Sequence, residues 1–172
     1  MELSALEKAT QEDREALIAI ISAATHHLNQ NGVSQWDEVY PNPKNVEEDL
    51  QNGQLYVVRA GGEIAGMVTL NQVCDPAYAN GKWLVHGEAF FVVHRLIVAP
   101  AMQGQGVGTL MMRMIEVMLR KDGVVSIRLD AFAHNPHSLR LYEKMGYRIT
   151  GTAQWRKGLF YLMEKDIRGA EA

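Results

Sequence analysis

Three glycines at alternate positions separate a run of strand-forming residues from a run of helix-forming residues. Gly104, Gly106 and Gly108 lie within HRLIVAPAMQGQGVGTLMMRMIEVM, the stretch that begins at residue 94. Glycine weakens a regular element by roughly 0.5–1 kcal/mol per interior position, so this spacing predicts a backbone that bends sharply or approaches a ligand closely. The first free N–H groups of a helix point outward at its positive end. A strand, a glycine loop and a helix are therefore the parts of an anion-binding site.

Two common phosphate-binding patterns do not fit this loop. A dinucleotide-binding fingerprint requires G-x-G-x-x-G close behind its strand, whereas this chain has G-x-G-x-G some five residues beyond Val98. A P-loop ends in Gly-Lys-Ser/Thr, but Gly108 is followed by Thr109 with no lysine. The sequence therefore argues against a nucleoside triphosphate as the ligand.

The N-terminal part of the chain alternates between helical and strand patterns. Thr10 followed by acids predicts a helix over 11–30, and Asn42 with Pro43 predicts the start of a second, short helix. The pair GG between QLYVVRA and EIAGMVTLN predicts a tight hairpin. A long strand, EAFFVVHRLIV, then leads into the glycine loop.

The C-terminal part continues the mixture. The helix after the glycine loop carries apolar residues at spacings of three and four, namely Val107, Leu110, Met111, Met114, Ile115 and Met118. VVSIRLDAF predicts a strand, NPHSLRLYEKM a helix closed by Gly146, and YRITGTAQW with LFYLMEKDI a final pair of strands. No repeat or linker divides the sequence, so we expect one α/β domain over residues 1–172.

Composition and charge exclude several classes of partner. The 172 residues are 47% hydrophobic and 22% charged, with a formal net charge of −3. No lysine-rich or arginine-rich block marks a nucleic-acid binder, and no apolar run approaches the roughly 18 residues of a membrane span. The single cysteine, Cys74, forbids an internal disulfide and a cysteine-rich zinc site. We therefore expect a cytoplasmic protein that binds a small ligand, with no nucleic-acid or membrane partner.

Two histidine patterns are superficially like metal sites. His134 and His137 have a spacing found among ligands, and His86-Gly-Glu88 imitates part of a zinc deaminase motif. The C-x-x-C that the deaminase motif requires is absent, and no acids or cysteines flank the other pair. We expect solvent-exposed histidines and no metal.

Two separated motifs resemble the GNAT family of N-acetyltransferases. VAPAMQGQGVG is similar to that family's acyl-CoA signature R/Q-x-x-G-x-G/A, with Gln103, Gly106 and Gly108 at the defining positions. NPHSLRLYEKMGYR resembles the family segment N-x-x-(A/S)-x-x-(L/x)-Y-E-K-x-G-F, in the expected order and at the usual distance. The resemblance extends over the element order from about residue 8 to 167. It implies a mixed, mostly antiparallel central sheet that splays in the middle, with helices on both faces.

The resemblance also implies an activity and a donor. It points to transfer of an acetyl group from acetyl-CoA to a primary amine of a small molecule or peptide, by direct attack on the thioester, and it allows a homodimer. Two alternatives stay open: an acyl-CoA-binding regulatory or sensor domain without turnover, and a structural interaction module without ligand. The residues that the resemblance assigns to the coenzyme are Leu96, Ile97, Val98, Gln103, Gly104, Gln105, Gly106, Val107, Gly108, Thr109, Asn135, Ser138 and Tyr142.

Three side chains are candidates for proton transfer. The resemblance implies that Tyr142 is a general acid near the coenzyme sulfur, although Leu139 shares its helical face and a core role is the alternative.

Many family members carry a glutamate where this chain has Val92. Strand alternation places Glu88, Val92, His94 and Leu96 on one face, with Arg95 and Ile97 on the other. His94 matches the place of a histidine in arylalkylamine acetyltransferases, and an imidazole of ordinary pKa about 6.5 suits deprotonation of an ammonium group. We prefer His94 to Glu88 as the base, with a structural histidine as the alternative.

The acceptor site is the least certain part of the sequence. GVSQWDEVYP places Trp36 and Tyr40, with Asp37 and Glu38 between them, in an irregular segment. Two aromatic rings and two carboxylates would attract a cationic amine, and the resemblance implies that this region lines the acceptor side. Aromatic residues that anchor a loop are the alternative.

Overall fold

The computed structural model describes residues 2–169, and those residues form a mixed α/β fold. The strands follow the order β1–β2–β3–β4–β5–β7–β6 in one sheet. The β4–β5 pair is parallel, whereas β1–β2, β2–β3, β5–β7 and β6–β7 are antiparallel. The predicted fold class is confirmed. In chain order the elements are β1 (Glu7–Lys8), α1 (Arg14–Gln30), α2 (Pro43–Gln51), β2 (Leu55–Ala60), β3 (Glu63–Asn71), β4 (Phe90–Val98), α3 (Val107–Lys121), β5 (Ser126–Phe132), α4 (Pro136–Lys144), β6 (Arg148–Trp155) and β7 (Gly158–Asp166).

Side chains that cap the helices explain where α2 and α4 begin. The Asn42 Oδ1 atom accepts a hydrogen bond from the Asn45 amide at 3.2 Å, and proline follows at the first helical position. The Asn135 Oδ1 atom accepts from the Ser138 amide at 3.3 Å in the same arrangement. Each cap satisfies one of the amides that a helix N-terminus leaves without a partner. Among the described residues no helix combines the length and the apolar character needed to cross a membrane.

The chain divides into two compact units, each built from separate stretches of sequence. The first unit contains the chain up to Leu70 together with Arg95–Met114, and the second contains Asn71–His94 together with the chain from Ile115 onward. The boundary falls within β4 and within α3. The single domain over residues 1–172 remains a prediction.

The core of the first unit joins α1 and α2 to the hairpin of β2 and β3. Gly61 and Gly62 form the turn of this hairpin with positive φ angles of 57° and 85°, as the sequence predicted. Burying such a set of side chains provides most of the driving force for folding, at roughly 25 cal/mol per Å² of apolar surface. Its buried members are Leu17, Ile21, Ala24, Val46, Leu55, Val57, Ile64, Met67 and Ile97.

The second unit contains the parallel strand pair and the C-terminal hairpin. β4 pairs with β5 only from Phe90 opposite Ser126 to Val92 opposite Arg128, although β5 continues to Phe132 with β7 on its other side. The short ladder agrees with the predicted splay. The buried core cluster here consists of Tyr78, Val92, Ala153 and Leu162.

A short segment of the second unit covers the edge strand β6. We call residues 76–82 the strap; they begin as a 3-10 turn over Pro76–Asn80. The Lys82 amide donates to the Thr150 carbonyl at 2.9 Å, and Asn80 Nδ2 donates to the Thr152 carbonyl at 3.2 Å. A Cβ atom added at Gly151 would lie 2.6 Å from the Asn80 carbonyl oxygen, so the close approach of the strap requires a glycine there.

The predicted buried face of α3 is confirmed at Val107, Met111 and Ile115 and is wrong at its edge. Leu110 is exposed, whereas Met112 and Leu119 are buried. The reason is Glu116, which is buried because Lys165 Nζ lies 2.9 Å from its carboxylate. Apolar periodicity treats a glutamate as a solvent-facing residue, and it therefore predicts a face rotated away from the true one.

Candidate functional site

The glycine loop of the first unit presents a row of backbone amides. Gly104 and Gly106 have positive φ angles of 76° and 80°, and a Cβ atom added at either would meet no other atom within 4 Å. Among the described residues, no amide from 104 to 109 donates a hydrogen bond; the Leu110 amide is the first that does, to the Gly106 carbonyl at 3.1 Å. The loop therefore combines unpaired N–H groups, a helix N-terminus and an unobstructed backbone, which suit an anionic group.

The strand that leads into this loop is irregular. Arg95 has a φ angle of 50°, in the left-handed region that residues other than glycine rarely adopt. The prediction that Glu88, His94 and Leu96 share one face is wrong on two counts. Glu88 precedes the first residue of β4, and the kink at Arg95 interrupts the alternation between His94 and Leu96. Beyond the kink, Ile97 is buried in the core of the first unit.

The predicted coenzyme residues occupy several different environments. Gln103 Nε2 donates to the Val98 carbonyl at 3.3 Å, so this side chain ties the loop to the end of β4. Val107 is buried, whereas Gln105 is exposed. In the second unit, Asn135 and Ser138 are brought together by the helix cap described above. Coenzyme binding by these residues remains a prediction.

Tyr142 lies in α4 within the second unit and is buried. Its ring meets Tyr147 edge-on, with 5.9 Å between the ring centroids, and its hydroxyl makes no hydrogen bond within the described chain. Burial raises the pKa of Tyr142 above its ordinary value, and the negative charge of Asp130 raises it further. Asp130 itself accepts a hydrogen bond from the Tyr78 hydroxyl at 2.7 Å. Tyr142 therefore stays protonated at neutral pH, as a proton donor must.

His94 has a defined partner in the second unit. Its Nε2 atom lies 2.7 Å from Asn71 Oδ1, and the Val73 amide donates to that same oxygen at 2.9 Å. Because the Val73 backbone N–H can only donate, the Asn71 atom that it contacts must be the side-chain oxygen, which accepts hydrogen bonds. His94 Nε2 contacts the same oxygen, so in the neutral imidazole the hydrogen must lie on Nε2. Nδ1 is then the basic nitrogen of the ring. Glu88, the other candidate base, is exposed.

The two predicted acceptor residues make contacts within the first unit. Trp36 packs against the core cluster of that unit. Asp37 Oδ1 accepts hydrogen bonds from the amides of Val39 and Tyr40, so this carboxylate shapes its own segment. The Tyr40 hydroxyl accepts a hydrogen bond from Arg95 Nη1 at 2.8 Å. These contacts describe how the segment is held, and substrate binding by Trp36 and Tyr40 remains a prediction.

The described residues contain no group of three or more His, Cys, Asp or Glu side chains arranged to hold a metal ion. His134 and His137 are both exposed.

Sequence reasoning assigned no role to Arg95, Asp49 or Asp130. The signal for Arg95 was present, since a charged residue within an apolar strand requires a partner. Nothing local indicated that Asp49 of α2 is that partner, because the two residues are 46 positions apart.

The fold of this chain is shared by solved structures of acetyltransferases. A crystal structure of a GNAT-family acetyltransferase from Streptococcus agalactiae 2603 matches with a TM-score of 0.82 at 20% identity, over 99% of this chain and 96% of that one. Residues 17–147 match the model of the acetyltransferase (GNAT) family, and the chain belongs to that family.

The chain is also similar to two further proteins. The chain is 25% identical over 162 residues to YesJ of Bacillus subtilis (strain 168), named an uncharacterized N-acetyltransferase, with 92% of this chain and 88% of YesJ covered. It also resembles the PaiA N-acetyltransferase from Thermoplasma acidophilum, solved in complex with coenzyme A, with a TM-score of 0.72 at 16% identity. That match covers 96% of this chain and 99% of the other.

Proposed function

We propose that this enzyme transfers an acetyl group from acetyl-CoA to a primary amine of a small molecule or peptide. The observation that carries the proposal is the row of unpaired amides from 104 to 109 at the start of α3. The pyrophosphate of coenzyme A is an anion of suitable size for such a row, and glycine at 104 and 106 lets it approach the backbone. Acetyl-CoA supplies the activated acyl group, and the residues of this chain supply binding and proton transfer.

The chemistry assigns a role to each candidate side chain. The neutral amine attacks the thioester carbonyl carbon, so a C–N bond forms, the C–S bond breaks, and the thiolate takes up a proton. His94 removes the proton of the incoming ammonium group through Nδ1, while its hydrogen bond to Asn71 holds the ring. Tyr142 gives its proton to the departing thiolate, and the proton that the attacking nitrogen loses as the amide forms restores the tyrosine hydroxyl. Amides of the β4 segment at Leu96 and Val98 face the thioester and pantetheine, as the family resemblance implies, and from there they stabilise the oxyanion.

A second candidate function is an acyl-CoA-binding sensor without turnover. The observation that favours it is Val92, which occupies the place of the family's usual glutamate and is fully buried in the core of the second unit. No carboxylate acts at that position, so a sensor would bind acetyl-CoA without acetylating any amine. The release of free thiol in the presence of amines separates the two functions.

Calorimetry with acetyl-CoA tests the donor site. Gly106→Val should abolish measurable binding, because its side chain would obstruct the approach to the amides. The matched control is Gly32→Val, since Gly32 has a φ angle of 76° and equally open surroundings. Both variants carry a similar backbone strain of about 1–2 kcal/mol. Equal affinity of Gly106→Val and the control would refute the proposed site.

A panel of amines, amino acids and peptides then identifies the acceptor through release of free coenzyme A thiol. Turnover with any amine supports the transferase. Tight acetyl-CoA binding with no thiol release across the panel supports the sensor.

A further inference from the structure

The kink in β4 is held by a buried charge network in the first unit. Arg95 is the one residue other than glycine with a positive φ angle among those described. A conformation of this kind persists only when surrounding contacts impose it. The contacts of the Arg95 side chain therefore indicate which elements the kink holds in place.

The guanidinium of Arg95 joins two elements. It forms an ion pair with Asp49 of α2, and the side chains of the pair are only 13% and 11% exposed. The Thr69 hydroxyl donates to Asp49 Oδ2 at 2.8 Å, which helps to hold the carboxylate in place. Burial alone lowers the pKa of Arg95, but Tyr40 and Asp49 raise it by more, so the guanidinium remains charged.

The second element is the irregular segment over residues 33–42, which we call the acceptor segment. Arg95 Nη1 donates to the Tyr40 hydroxyl at 2.8 Å, and the guanidinium carbon lies 5.8 Å from the centre of the Tyr40 ring. Trp36 anchors the middle of the segment on the core, whereas Tyr40 is about two-fifths exposed. The bond to Arg95 is thus a polar tie between the end of this segment and β4.

We propose that Arg95 is a positioning residue that fixes the acceptor segment relative to β4 and so determines acceptor affinity. This inference rests on the proposed acetyl transfer. Tyr40 acts through Arg95 in this arrangement, because its ring already faces the protein's own cation and is a poor second site for a cationic amine. The glycine loop makes no bond to the Arg95 side chain, so the affinity for acetyl-CoA is independent of the tie.

Three variants test the tie. Tyr40→Phe removes only the hydroxyl that accepts the hydrogen bond from Arg95, at a partly exposed position. Arg95→Lys keeps the positive charge, but a single ammonium group cannot bond both Asp49 and Tyr40. Each should raise the acceptor KM about ten- to 100-fold, the effect of losing one hydrogen bond to a charged group, with the acetyl-CoA KM within about twofold of wild type. The double variant should be no worse than the more severe single variant, because both remove the same bond. Val117→Ala, at an exposed position of α3 outside the acceptor segment, should leave both constants unchanged.

Hydrogen exchange provides a readout that needs no acceptor. The amides of Val39 and Tyr40 are bonded to Asp37 in the wild type, and they should exchange faster in Tyr40→Phe but not in Val117→Ala. An unchanged exchange rate in Tyr40→Phe overturns the proposal, as does an unchanged acceptor KM or an equal rise in both KM values. If no amine is acetylated at all, the proposed function fails, while the exchange rates still decide whether Arg95 ties the segment.

Discussion

Replacing Tyr142 with phenylalanine should separate catalysis from stability. The Tyr142 hydroxyl makes no hydrogen bond within the described chain, so its removal breaks none. The ring remains, with its edge-on contact to Tyr147. We therefore expect the free energy of unfolding to change by about 0.5 kcal/mol or less. In a chain of 172 residues such a change moves Tm by roughly 2 °C at most.

The effect on turnover should be far larger. A positioned general acid contributes about 10²–10⁴-fold to the rate, and a 10²-fold loss corresponds to about 2.7 kcal/mol of transition-state stabilisation. The assay is release of free thiol from acetyl-CoA with the best amine, under conditions where single-turnover kinetics show that chemistry limits the rate. The affinity for acetyl-CoA should change little, since only proton donation to the leaving thiolate is lost.

Tyr147→Phe is the matched control, because the Tyr147 hydroxyl is bonded to Glu116 Oε1 at 3.1 Å. Losing a hydrogen bond to a charged group costs about 1.5–3 kcal/mol, so this variant should lose several degrees of Tm while keeping its turnover. An unchanged kcat for Tyr142→Phe with chemistry rate-limiting would return Tyr142 to a purely structural role. If Tyr142→Phe lost as much stability as Tyr147→Phe, the expectation that the Tyr142 hydroxyl makes no stabilising hydrogen bond would be wrong.

Two further predictions concern proton transfer and pH. His94→Ala should depress turnover at neutral pH and recover in part at high pH, because the amine there loses its proton unaided. Glu88→Gln should behave like wild type. The reverse pattern in the pH–rate profiles of the two variants would assign the base to Glu88. Burial raises the pKa of Tyr142 and Tyr147 above the ordinary 10.0, so their contribution to stability is complete below pH 10 and is lost as the pH rises through the folded-state values. Denaturant titrations should show a fall in the free energy of unfolding above pH 10 that is less steep in Tyr142→Phe, and equal slopes would contradict the shifted pKa.

Features that depend on neighbouring residues could be predicted from the sequence. The starts of α2 and α4 follow from Asn-Pro pairs, and the β2–β3 turn follows from two glycines, because caps and turns are completed within four residues. The bend of the glycine loop was predictable for the same reason, because glycine is the residue that most readily adopts the positive φ angles found at Gly104 and Gly106.

Features that depend on distant residues could not be predicted in this way. A Cβ atom added at Gly66 would lie 2.3 Å from Met111 Sδ and 3.2 Å from the Ile97 carbonyl oxygen, yet nothing near Gly66 in the sequence indicates those neighbours. The partner of Arg95 is Asp49, which lies on α2. The kink at Arg95 interrupts the in-and-out alternation of side chains along β4, and the predicted strand faces depended on that alternation. Side-chain roles in proton transfer and acceptor binding belong to this second kind, since they require tertiary contacts.

The strap over β6 affects how copies of this protein behave when crowded. An open strand edge is a template on which another chain can add its own strand, and repeated addition leads to fibrils. Here the carbonyls of Thr150 and Thr152 already accept hydrogen bonds from the strap, and the backbone at Gly151 is in close contact with it. An incoming strand would first have to displace residues 80–82 from this edge. The strap therefore acts as a barrier to aggregation at β6, built from the protein's own chain.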